Sequence, residues 1–264
     1  MSLDPATITA EDYHPSLFAE TSHVVDHEYF PLVPGTRFVW KGRAFDDEGA
    51  RVTRRVVFIV TGLTKMIDGV RVNVGWDRDF DDDSMRESEL IFHAQDIHGN
   101  VWHMGELVEH WDDGELDGAR AWFVNSPEGA RPGIAMKAEP VVGEEYSQGF
   151  APPPWFWDDW ARVADTGVAT CTPVGCFDST LVVEEFEPRF PGAYQLKYYA
   201  PDIGSVRVGW RGRNDTEREE MVLASYRQLT PQALERIHER VLAQDQRAYA
   251  YGATSPAEVL ASGG

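Results

Sequence analysis

Asp68-Gly69-Val70-Arg71-Val72-Asn73-Val74-Gly75-Trp76 sets a two-residue turn directly before a strict alternation of apolar and other residues. Asp-Gly takes the positive φ angles of a tight hairpin turn at low cost, so the chain reverses there. Val70, Val72, Val74 and Trp76 then share one face of a strand, because strand side chains alternate with period two.

The same rhythm extends in both directions. Residues 37–45 and 51–61 read as strands joined by the turn Asp46-Asp47-Glu48-Gly49. Asp77 to Ser84 reads as an acidic turn before a strand at 88–95. Further strands are expected at 101–111, 119–125, 144–150, 168–172, 179–187, 194–200, 204–210 and 219–228. No helical pattern separates these strands, as a βαβ protein would require. The expected fold is therefore all-β, an antiparallel meander forming a barrel or half-barrel around an apolar interior. Thr230 is a good N-cap, Pro231 suits the first helical position, and Leu234, Ile237, Val241 and Ala248 form one stripe. A C-terminal helix over 230–250 is thus expected to pack outside the barrel. The expected domain is 29–229, preceded by an arm (1–28) and followed, after the helix, by a flexible tail (251–264).

At 264 residues and 42% hydrophobic, the chain can bury one sizeable β core. Its 44 acidic against 24 basic residues give a net charge of −20, which repels phosphate backbones and anionic lipid. Nucleic acid and membrane are not expected as partners. No apolar run reaches the roughly 18 residues of a membrane-spanning helix. The N-terminal Met1-Ser2-Leu3-Asp4-Pro5 lacks the basic and apolar regions of a signal peptide, so a cytoplasmic location is expected. Cys171 and Cys176 flank a hairpin loop where facing positions could meet disulfide geometry. In a reducing cytoplasm the thiols are expected to be free. The run Asp77, Asp79, Asp81, Asp82, Asp83 lacks EF-hand spacing and reads as a solvated turn. No metal or other cofactor is implied.

Several stretches resemble a poorly characterised bacterial family of β-barrel proteins. Phe30-Pro31-Leu32-Val33-Pro34-Gly35-Thr36-Arg37-Phe38 resembles its opening, and Gly99-Asn100-Val101-Trp102-His103-Met104-Gly105-Glu106 resembles its central hairpin. Tyr198-Tyr199-Ala200-Pro201-Asp202-Ile203-Gly204 resembles its closing meander, which is also similar to lipoprotein-like half-barrels that hold apolar ligands. The chain is further similar to the β-barrel cyclases (pericyclases) of tetronate and polyether natural-product pathways. That resemblance implies a cofactor-independent cyclisation of an apolar, polyketide-like chain; the alternative is a barrel that only binds or carries a lipid-like small molecule.

Strict alternation through 101–111 puts Trp102, Met104 and Glu106 on one face. A carboxyl among apolar groups has its charged form disfavoured, which suits a hydrogen-bond donor to a substrate oxygen. The plainer alternative is a structural Glu106 paired with Arg78 or Arg120. Tyr146 and Gln148 share a face of the next short strand and could orient a carbonyl. Glu106, Tyr146 and Gln148 are therefore the candidate catalytic residues. Trp76, Trp102, Met104, Trp155, Trp157, Tyr198 and Tyr199 are the candidate substrate-binding walls. Of the adjacent Tyr198 and Tyr199 only one can point inward. Three prolines followed by Trp155, Phe156, Trp157 and Trp160 suggest either a stiff aromatic lid or a plug sealing the barrel end. G-x-S-x-G, Walker and G-x-G-x-x-G motifs are absent.

Overall fold

A computed structural model describes residues 12–46, 48–126, 128–153, 156–248 and 257–259. The strands are β1 (Thr36–Phe45), β2 (Arg51–Ile67), β3 (Val70–Asp81), β4 (Ser84–Gln95), β5 (Val101–Asp112), β6 (Glu115–Phe123) and β7 (Arg131–Met136). They continue with β8 (Glu145–Ala151), β9 (Trp157–Thr172), β10 (Gly175–Phe186), β11 (Tyr194–Ala200), β12 (Gly204–Arg211) and β13 (Glu220–Gln228). A helix, α1 (Pro231–Arg247), and a short strand, β14 (Glu258–Val259), follow.

Every pairing is antiparallel, as a meander of hairpins requires. The order β1-β13-β12-β11-β10-β9-β8-β7-β5-β4-β3-β2 closes through a β1–β2 pairing into a 12-stranded barrel. β6 pairs with β5 off this ring, and β14 adds to β2. The expected all-β barrel with an external helix is what forms.

Two local features change the picture drawn from alternation. β3 does not stop at Trp76. Asp82 and Asp83 take φ of 48° and 67° in a tight turn, so β3 runs on to Asp81 and the acidic stretch is mostly strand. In β5, a bulge shifts the register between Phe92 and His93, opposite Gly105 and His103. Gly105 sits at φ +141°, where an added Cβ would lie 2.5 Å from the Trp122 carbonyl oxygen, so only glycine fits. Beyond the bulge the faces exchange. His103 and Glu106 lie on the same side of the wall, and Glu106 does not share a face with Trp102 and Met104.

The apolar faces of β3, β4 and β5 point outward. Trp76 pairs across the sheet with Leu90, and Leu90 with Leu107. α1 covers this strip: Trp76 Nε1 donates to Gln244 Oε1 at 3.2 Å, and Val241 is fully buried. The completely buried Lys65 of β2 pairs with Asp245 at 2.6 Å, and Arg247 makes two 2.8 Å bonds to Glu109. Thr230 Oγ1 accepts from Ala233 N and Pro231 opens the helix, as its sequence requires. The arm covers the rest of the strip. Tyr13 and Phe18 both stand edge-on to Trp102, and Ser22 bonds to Arg71 and Gln95.

Cys171 and Cys176 face each other across the β9–β10 hairpin and form a disulfide, which corrects the expectation of free thiols. Trp157 and Trp160 belong to β9, not to a lid, and Trp155 lies outside the described residues.

Candidate functional site

The barrel encloses a cavity of about 380 Å3, within the usual range for small-molecule sites. Phe38 and Trp40 of β1 stack at 5.5 Å and 9°, and with Val56 and Phe58 of β2 they make one apolar wall. Phe58 covers Gly75, where a Cβ would come within 2.5 Å of its ring. Phe30, Pro31 and Leu32, between the arm and β1, reach in, and Phe30 packs against His93 and Tyr199 at 5.2 and 6.1 Å.

The lining also carries ionisable side chains, so the expected apolar interior is corrected to an amphiphilic one. Asp77 and Asp79 (β3), Asp159 (β9), Glu185 (β10), Lys197 (β11) and Glu219, just before β13, all line the cavity. Alternation turns Lys197 to the cavity with Gln195 and Tyr199, and Asp77 and Asp79 away from the outward-facing Trp76. Lys197 Nζ lies 2.5 Å from Glu185, and Gln148 donates to Glu185 at 3.1 Å. The Lys197 side chain is 31% exposed, to the cavity it lines. Burial disfavours its charge, but Glu185, Glu219 and Asp159 outweigh that and raise its pKa. Gln195 donates to Glu219 at 2.7 Å, while Arg54 reaches Asp81 at 2.7 Å, Glu219 at 3.6 Å and Asp79 at 3.7 Å.

Crowded carboxylates cannot all ionise together. Burial, then the neighbouring Glu185, pushes Asp159 up to about 7. Burial lifts Glu219 to about 7 and Asp77 to about 6, and with Asp77 beside it Asp79 is driven well above its ordinary value. Burial drives His93 far below its ordinary value and His103 down to about 4, so both imidazoles are neutral. Their rings stack at 5.5 Å, and Trp157 stands edge-on to His103 at 5.3 Å. Carboxylic acids that titrate near neutrality, an ion-paired ammonium and a greasy wall thus share one cavity. Such a site can hold an amphiphilic molecule and pass protons to or from it.

Of the residues nominated from sequence, Gln148, Trp157 and Tyr199 line the cavity. Glu106 sits in the wall, with Oε2 3.8 Å from His103 Nε2, and burial raises its pKa against the pull of Arg120. Tyr146 is buried in the core, and its hydroxyl has no partner among the described residues. Trp76 turns outward to α1, while Trp102 lies under the arm, with Nε1 2.8 Å from Asp96. Met104 is fully buried in the core, and Tyr198 carries Arg207 over its ring at 5.3 Å; neither lines the cavity. Sequence reasoning missed the ionisable set. The signal for Lys197 was its period-two spacing with Gln195 and Tyr199; Asp77 and Asp79 were hidden in a stretch with turn composition.

Among the described residues, no group of three or more His, Cys, Asp or Glu side chains could hold a metal ion. No helix among them is long and apolar enough to cross a membrane. No family model matches the chain, and no curated protein matches it. Two solved structures are similar. One is a proposed exported protein with a YmcC-like fold from Bacteroides fragilis, at 12% identity and a TM-score of 0.43, covering 76% of this chain and 100% of its own. The other is a proposed lipoprotein from Parabacteroides distasonis, at 13% identity and a TM-score of 0.39, covering 76% and 99%. The Cys171–Cys176 disulfide is a bond that oxidising compartments maintain. The cytoplasmic placement expected from the N-terminal residues is corrected accordingly.

Proposed function

We propose that this barrel is an enzyme that encloses a small amphiphilic molecule and catalyses a proton-transfer step on it. One observation carries the reading: a single cavity joins the apolar wall of Phe38, Trp40 and Phe58 to Asp159 and the Lys197–Glu185 pair. β9, which carries Asp159, lies six strands from β2 in either direction round the ring, so acid and apolar wall face each other. A substrate lying on the aromatic faces would present its polar end to the acid.

Asp159 is the general acid or base, because a group that titrates near neutrality transfers protons efficiently in both directions. Lys197, held in place by Glu185, keeps further N–H donors for a substrate oxygen on which charge develops. Acid-promoted cyclisation belongs to this reaction class, and the proposal assigns it other residues than the sequence nominated. Asp159 and Lys197 take the places given to Glu106 and Tyr146, and Gln148 keeps a supporting place by holding Glu185.

The test is untargeted mass spectrometry of an extract from the producing organism, incubated with wild-type protein or with Asp159→Asn. The expected result is an ion consumed by the wild type, giving a product of equal mass or one water lighter, about 100-fold more slowly with the variant. An ion that both proteins retain unchanged would make the barrel a carrier and end the enzyme reading.

A further inference from the structure

The substrate class can be narrowed by matching the charges in the cavity one against another, an argument that rests on the cavity being the binding site. Lys197 is already matched by Glu185 at 2.5 Å, and Arg54 by Asp81 at 2.7 Å. Asp77, Asp79, Asp159 and Glu219 face the same space, and Arg54 is shared further between Glu219 at 3.6 Å and Asp79 at 3.7 Å. Behind them in the wall stand Glu87 and Glu89 of β4 and Glu106 of β5, with Arg120 of β6 against Glu106. An anion entering here would meet the five lining carboxyls Asp77, Asp79, Asp159, Glu185 and Glu219 against one lining ammonium, Lys197.

A second, independent feature points the same way. His93 is 6% exposed and lines the cavity, yet its Nδ1 has no hydrogen-bond partner among the described residues. His103 Nε2, beside it, also has none. A buried polar nitrogen left without a partner costs on the order of 1–3 kcal/mol, so such a group in a cavity wall is suited to a ligand donor. The unprotonated nitrogen of a neutral imidazole accepts from an N–H. The aromatic faces nearby attract cations in addition to supplying apolar contact.

We infer that the enclosed molecule carries a basic nitrogen, held as a cation between the Asp77, Asp79, Asp159 and Glu219 carboxyls and the neutral histidines, with its apolar body on Phe38, Trp40 and Phe58. In the empty barrel, protons partly neutralise the acid cluster; a bound ammonium takes over that task and expels them. Binding therefore releases protons and tightens as pH rises through the range where these acids titrate.

Tryptamine, tryptophol and indole-3-propionate carry the same ring with a cationic, a neutral and an anionic end. Calorimetric titration of the full chain with each, at about pH 6 and about pH 8, separates the possibilities. Tryptamine is expected to bind at least about tenfold more tightly than either analogue, and about tenfold more tightly at the higher pH. In two buffers of different ionisation heat, its apparent enthalpies are expected to differ, reporting proton release. In the Asp159→Asn/Glu219→Gln double variant, tryptamine affinity is expected to fall to that of tryptophol, with tryptophol unchanged. Equal binding of the alcohol or acid, or a variant that binds tryptamine normally, overturns the cationic class and leaves the cavity as the site. Absence of binding by all three removes the enclosed-ligand reading itself.

Discussion

Asp159→Asn offers a thermodynamic test of the acid cluster that needs no ligand. The carboxyl rises from 3.8 to about 7 on folding, mainly through burial. Below about pH 4 it is protonated in both states and contributes nothing to the pH dependence. Between about pH 4 and 7 the unfolded chain has lost that proton while the native state keeps it. The native state then binds more protons, so stability falls as pH rises. Above about pH 7 the full cost of holding the ionised group is present. Three pH units at about 1.4 kcal/mol each set that cost at about 4 kcal/mol. Asparagine is neutral throughout. The variant is therefore expected to gain about 2–4 kcal/mol at pH 8 and to match the wild type at pH 4, the lower bound allowing for water in the cavity. Urea unfolding followed by tryptophan fluorescence across this range measures the difference. Glu219 at about 7 and Asp77 at about 6 act with the same sign, so the wild type itself is expected to be more stable at pH 5 than at pH 8. A wild type more stable than Asp159→Asn at pH 8, or a difference that does not vary with pH, would refute the buried acid cluster.

Lys197→Met leaves Glu185 without its ion partner and is expected to cost about 3–5 kcal/mol at neutral pH, read from the denaturation midpoint; a loss under 1 kcal/mol would place the pair in free solvent. Gly105→Ala forces a Cβ to within 2.5 Å of the Trp122 oxygen at a positive φ, so a loss of about 3 kcal/mol is expected on thermal unfolding. A neutral result there would mean that the bulge is absent. Reducing the Cys171–Cys176 bond, which closes a loop with a sequence separation of 5, is expected to cost about 2 kcal/mol and to leave ligand affinity unchanged, because the hairpin tip lies away from the cavity. Free thiols in the protein as isolated, detected by alkylation and mass measurement, would contradict the bond.

The barrel was legible because its signals are local. Asp68-Gly69 and the alternation after it specify a hairpin whatever the rest of the chain does, and repeated hairpins leave little choice but an antiparallel sheet. What alternation cannot say is which face looks inward. Trp76 was expected to line a greasy interior; it faces α1. A one-residue bulge at Gly105 then reversed the faces of β5 and separated Glu106 from Trp102 and Met104. Neither event leaves a mark in a single sequence, because both depend on contacts with segments far along the chain. Asp77 and Asp79 were missed for a different reason. Acidic residues usually mark turns, and only their continued period with Gly75 and Asn73 hinted at a strand.

That inversion also explains how the barrel can keep a hollow, charged centre. A wall with two faces needs one of them dry for stability, and in most closed sheets the inner face takes that role. Here the strip from Trp76 through Leu90 to Leu107 is dry on the outside, sealed by Val241, the buried Lys65–Asp245 pair and the buried Glu109 held by Arg247 at the surface. Stability resides in the cladding, so the inner face of those strands is released to carry Asp77, Asp79 and the two histidines. The arm and helix are accordingly part of the site although no α1 residue lines it: without α1 the strip would be an exposed apolar patch, and the wall that aims the carboxylates inward would have nothing to hold it.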